Sequence, residues 1–78
     1  MSPGDSLSRI IEARKISKQA LAKELDIDML KLENILQGHT GIDLEIAQAL
    51  EIILGFRASF WLLLQQAWND ERNKRNLL

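Results

Sequence analysis

Apolar side chains return along this chain at intervals of three and four residues almost throughout, the period of a helix with one buried stripe. No stretch alternates strictly as a half-buried strand would. The pattern predicts an all-α fold of five short helices. Leu7, Ile10, Ile11 and Ile16 mark the first, entered through Pro3 and Gly4, where the missing N–H of proline costs nothing. Ser17 is suited to cap a second helix that buries Ala20, Leu21 and Leu25. Asp28 is suited to cap a third, which buries Leu32, Ile35 and Leu36 and stops at Gly38, a residue able to take the left-handed conformation. Asp43 opens a fourth that buries Ile46, Ala47, Leu50, Ile53 and Leu54 before Gly55. A fifth spans about 58–72, carries Phe60, Trp61, Leu64, Ala67 and Trp68 on neighbouring faces, and gives way to a polar tail reaching residue 78.

The segment EIILGFRASFWLLLQQAW is more apolar than a solvated surface requires. A helix has one core-facing stripe, so these side chains cannot all turn inward on one small domain. Either the core is generously packed or the surplus joins two copies, with Phe60, Trp61, Leu63, Leu64 and Trp68 as the expected dimer interface.

Composition narrows the function classes. With 78 residues, 46% of them hydrophobic, the chain has the material for one domain over 1–78 without metal or disulfide staples. It has no cysteine and one histidine, which leaves no metal-ligand spacing, no thiol nucleophile and no cofactor motif. Ser8, Ser17 and Ser59 have no histidine base in the pattern, so an enzyme is not expected. No apolar run reaches a membrane span and MSPGDSLSR lacks the form of a signal peptide, so no membrane partner and a cytoplasmic location are expected.

Charge complicates the picture. The net value is −1, and residues 28–54 set Lys31 alone against Asp28, Glu33, Asp43, Glu45 and Glu51. Nucleic-acid binders ordinarily carry a basic footprint that displaces counterions. Arg72, Lys74 and Arg75 read as a solvated tail, with a phosphate or partner contact as the other option.

Against that charge stands a spacing. SKQALAKELDIDMLKLENILQG has the form of a helix-turn-helix over about 17–37: small Ala22 where the helices cross, Asp26 at a turn position tolerant of positive φ, apolar Ile27 just after it, and Leu32 and Ile35 as anchors of the second helix. Over nearly its whole length the chain also resembles a known family. SPGDSLSRII is similar to an HPGE-type opening, SKQALAKEL to the family's second helix, and GFRASFWLLLQQAW to a GxxxxFWLNLQ-type ending carried by Gly55, Phe60, Trp61, Leu62 and Leu64. These motifs resemble the HigA-like antitoxins of the phage-repressor type of helix-turn-helix protein. The resemblance implies a repressor-like five-helix fold and a homodimer that binds double-stranded DNA at its own operator. It also implies neutralisation of a cognate toxin, usually a small ribosome-dependent endoribonuclease.

By the same resemblance, the DNA-contacting positions are Lys18, Gln19, Asp28, Met29, Leu30, Lys31, Glu33, Asn34, Gln37 and His39. Lys18 stands where the family has a phosphate-contacting glutamine, a contact a lysine can make as a point charge. Asn34 can bond an adenine edge, whereas Met29 and Leu30 can touch only thymine methyls. Asp28 and Glu33 could accept from cytosine, but Asp28 is also simply a cap and Glu33 a solvated face residue, and His39 in GHTG also reads as a solvated loop side chain. The competing function is therefore a protein-interaction module that keeps the helix-turn-helix fold and uses Met29 and Leu30 as apolar anchors.

Overall fold

A computed structural model describes residues 2–76 of the protein, with side chains through Arg72. The elements are α1 (Pro3–Arg14), α2 (Lys18–Leu25), α3 (Met29–Leu36), α4 (Leu44–Leu54) and α5 (Ala58–Asn76), with no strand among the described residues. The five-helix, all-α expectation therefore holds.

Local chemistry accounts for most of the boundaries. Ser17 Oγ accepts from the Ala20 N–H at 3.3 Å, Asp28 Oδ1 from the Lys31 N–H at 2.7 Å, and Asp43 Oδ1 from the Ile46 N–H at 2.9 Å, so α2, α3 and α4 each begin with a first-turn donor satisfied. At the other ends, α1, α2 and α3 finish with the same pair of backbone bonds around one left-handed residue. The Ile16, Ile27 and His39 N–H groups reach back to the carbonyls of Ile11, Ala22 and Asn34. The left-handed residue is Gly38 in α3, but Lys15 in α1 and Asp26 in α2, with φ of 54° and 58° for the two non-glycines. Asp26 was expected in this role; Lys15 was not.

Some details depart from expectation. Pro3 and Gly4 are the first residues of α1 rather than an approach to it, and Ile16 lies beyond its end. Ala20 faces solvent while Ala22 is buried. The helix α5 runs on to Asn76, past the start of the expected polar tail, because NDERNKRN contains no glycine or proline to stop it. The Lys74 and Arg75 side chains lie outside the described residues.

The core is continuous through all five helices: Leu7 and Ile11 from α1, Leu21 and Leu25 from α2, Leu32 and Ile35 from α3, Ile46, Ala47 and Leu50 from α4, and Trp61 from α5. Trp61 is wholly enclosed, edge-on to Phe56 at 6.1 Å and to Phe60 at 5.2 Å between centroids. It was expected at a dimer interface, and here the structure corrects the sequence reading, since a ring with no exposed surface has nothing to offer a second chain. Leu64, assigned to the same interface, is half-buried against this core.

Three long-range polar contacts position the helix ends. Arg14 Nη1 donates to the Leu54 carbonyl at 3.0 Å while its guanidinium lies 5.6 Å from the Phe56 ring centre, placing a cation at the negative end of α4. Glu51 Oε1 accepts from the Ala58 N–H at 2.7 Å, placing an anion at the positive end of α5. Gln65 Oε1 accepts from the Ile42 N–H at 2.9 Å, and its Nε2 donates to Asn69 Oδ1 at 3.0 Å, so α5 holds the segment that leaves α3.

The first turn of α1 meets the last turn of α3 backbone to backbone. A Cβ on Gly4 would fall inside contact distance of the Ile35 carbonyl, which neither helix can yield without moving. Replacing Gly4 by alanine should therefore destabilise the fold by about 1–3 kcal/mol, the range for overpacking a rigid contact. Thermal or urea unfolding measures this, and an unchanged midpoint would mean that α1 shifts freely.

Candidate nucleic-acid interface

Helices α2 and α3, joined by the turn 26–28, form the helix-turn-helix. Leu32, Ile35 and Leu36 hold α3 against the core, which fixes what it shows outside. Leu30, Asn34 and Gln37, at i, i+4 and i+7, share the outward stripe, with Lys31 on one flank and Glu33 on the other. Leu30 is 72% exposed, Met29 37%, and Asn34 is half-buried.

The side chains foreseen as DNA contacts therefore fall into groups. Lys18 and Gln19 open α2 on the surface, and Met29, Leu30, Lys31, Asn34 and Gln37 occupy α3 or its end. His39 is exposed in the following loop, where its backbone N–H is held by the Asn34 carbonyl at 2.9 Å. Asp28 is engaged as the cap of α3, so its carboxylate serves the helix first.

Lys18 and Glu33 are not independent, as the sequence reading treated them. Lys18 Nζ lies 3.2 Å from Glu33 Oε1, with the two side chains 48% and 35% exposed. The pair ties the start of α2 to the outward flank of α3. An exposed pair of this kind contributes only about 0.2–1 kcal/mol and weakens with salt. A phosphate oxygen can therefore replace Glu33 as the partner of Lys18 at small cost to the fold. Its consequence for the surface is larger: one of the few cations beside α3 is neutralised in the free protein.

Sequence reasoning missed Gln65. It stands at the last position of the GxxxxFWLNLQ-type ending, and the polar residue in an otherwise apolar stretch was the available signal. Its bond to the Ile42 N–H ties the loop that leads from α3 to α4 onto α5. Among the described residues no group of His, Cys, Asp or Glu side chains could hold a metal ion.

No family profile matches the chain. Solved structures do match over nearly its whole length. Antitoxin GraA superimposes with a TM-score of 0.90 at 28% identity, covering 97% of this chain and 83% of that one. The Pseudomonas aeruginosa antitoxin HigA, solved with the higBA promoter, gives a TM-score of 0.82 at 26% identity over 99% of this chain and 89% of that one. An addiction module antidote protein of the HigA family from Coxiella burnetii gives 0.86 at 30% identity, over 97% of this chain and 84% of the other. Identity of 30% to a HigA-family antidote protein along almost the entire length, with a closely superimposable fold, places the chain in the HigA family of helix-turn-helix antitoxins.

Proposed function

We propose that this chain is a single helix-turn-helix domain that acts as the DNA-binding antitoxin of a type II toxin–antitoxin module. It binds as a homodimer in the cytoplasm to the operator of its own operon, represses it, and neutralises the cognate toxin; it is a binding protein, not an enzyme. The observation that carries the reading is the outward stripe of α3, held rigidly by Leu32 and Ile35, with Lys18 at the start of α2 beside it. A HigA antitoxin of the same fold has been solved with promoter DNA, which supports placing α3 in the major groove.

In this role Lys18 exchanges Glu33 for a phosphate, Gln19, Gln37, Lys31 and His39 lie along the backbone, and Asn34 and its neighbours face bases. Dimerisation uses what Trp61 and Leu64 leave uncovered. Phe56 and Phe60 stack at 5.5 Å, both partly exposed, and Leu63 is 66% exposed one turn beyond Phe60. Trp68, half-buried farther along α5, extends the same helix. An apolar patch on a small domain has a self-complementary partner in a second copy.

A second reading, a protein-interaction module without sequence-specific DNA binding, is favoured by the neutralised Lys18 and the exposed Leu30. Gel shifts with DNA from upstream of the gene separate the two, since absence of binding to any such fragment at low salt decides for the module. A reading frame of about 90 residues beside the gene, the size of one small domain, is the place to seek the toxin.

Lys18→Ala should weaken binding to all duplexes alike and reduce the slope of log affinity against log salt by about 0.9, one phosphate contact. Glu33→Gln, which frees Lys18 and removes a carboxylate from the face, should strengthen binding by about threefold, the scale of one exposed ion pair. Titration of both variants across salt concentrations tests the exchange, and a Glu33→Gln protein that binds more weakly than the parent contradicts it.

For the dimer, sedimentation at micromolar concentration should give two copies for the parent and one for Leu63→Lys. A monomeric parent under those conditions rules the interface out.

A further inference from the structure

The first turn of α3 spends its most prominent position on a leucine. Leu30, 72% exposed, and Met29, 37% exposed, take no part in the buried core, and the fold gains nothing from holding Leu30 in water. The two carboxylates beside them are already engaged within the protein: Asp28 takes the Lys31 backbone N–H, and Glu33 takes the Lys18 ammonium. Helix α3 contains no arginine, so the bidentate bonding of guanine by a guanidinium has no source there. At the centre of the outward stripe stand an apolar side chain and, one turn on, the amide of Asn34, with Lys31 on the flank and Gln37 at the end of the helix.

The major groove offers one apolar group, the C5-methyl of thymine, while an amide pairs bidentately with the N6 and N7 edge of adenine. Leu30 and Asn34 lie on one stripe about 6 Å apart along the axis, four residues of helical rise and more than one base step. Resting on the function proposed above, we infer that α3 recognises an A·T-containing half-site by apolar contact: Leu30, flanked by Met29, packs on thymine methyls, and Asn34 bonds an adenine beside them. Discrimination then resides in methyl groups rather than in a charged fork. This suits a helix beside which Lys18 is already paired with Glu33, leaving a face of low charge with modest attraction for phosphate. It also gives exposed Leu30 an occupant of defined chemistry, which a protein partner of unspecified surface does not.

The experiment uses the whole chain and DNA alone. Duplexes bound at low salt are selected from a randomised library, and the enriched sequence is then rebuilt with deoxyuridine in place of thymine, which deletes the methyl and leaves all hydrogen bonds intact. The expected result is enrichment of thymine in the half-site and a loss of about fourfold in affinity for each contacted methyl, the worth of burying one such group. Leu30→Ala, at a site too exposed to threaten folding, should bind the thymine duplex more weakly and tell thymine from uracil less well. Enrichment of a sequence that binds equally well with uracil overturns this inference and leaves the DNA-binding function standing. So does a Leu30→Ala protein with undiminished discrimination, and if that variant instead loses a protein partner, Leu30 is a protein anchor. Failure of any duplex to enrich overturns the proposed function and this inference together.

Discussion

The enclosure of Trp61 is the constraint on which the rest of the molecule depends. Removing so large a ring from a core costs about 3–5 kcal/mol in proteins generally, a large share of a small domain's stability. Here its burial holds α5 on the other helices, although its indole Nε1–H finds no acceptor among the described residues. An unmet buried donor forfeits about 1–3 kcal/mol, so the apolar gain outweighs the loss without making it small. The ring fixes the rotation of α5, and that rotation sets Gln65, one turn later, against the Ile42 backbone. The placement of the loop between α3 and α4 thus rests partly on a tryptophan in a different helix.

Electrostatics sets the second theme. The acidic middle of the chain looks hostile to nucleic acid when charges are merely summed, but three of its five carboxylates are occupied structurally. Asp28 and Asp43 cap α3 and α4, and Glu51 caps α5. A fourth, Glu33, is tied to Lys18. Each sits beside partial or full positive charge, which softens its field at the surface. The result is a face of low charge rather than a strongly acidic one, on which shape and apolar contact have more weight than counterion release.

Much of this was legible from residue order. Ser17, Asp28 and Asp43 announced three helix starts, Gly38 and Gly55 two ends, and Asp26 the turn, because capping is local chemistry written in neighbouring residues. Lys15 in the left-handed region was illegible, since lysine gives no sign of that conformation; the backbone bonds of Lys15 and Ile16 and the packing of Ile16 impose it. The Arg14–Leu54 and Glu51–Ala58 contacts were equally silent, as each needs the relative placement of two helices. At the candidate site, the positions on α3 followed from helical spacing, while the partnership of Lys18 with Glu33 spans two helices and required coordinates. Spacing also marked the fifth helix as too apolar without saying which side of it faces in, and Trp61 was placed on the wrong side for that reason.

Gln65 sets a limit on communication within the molecule. Its carboxamide is a polar bracket between the long C-terminal helix and the loop that follows α3. Whatever grips α5 can act on α3 through this bracket only as far as the bracket is worth. A single neutral hydrogen bond contributes about 0.5–1.5 kcal/mol net, so occupancy at one end can alter affinity at the other through it by roughly two- to tenfold. By reciprocity the same factor runs in the opposite direction. The contact is thus a dimmer between the two ends of the protein, not a switch.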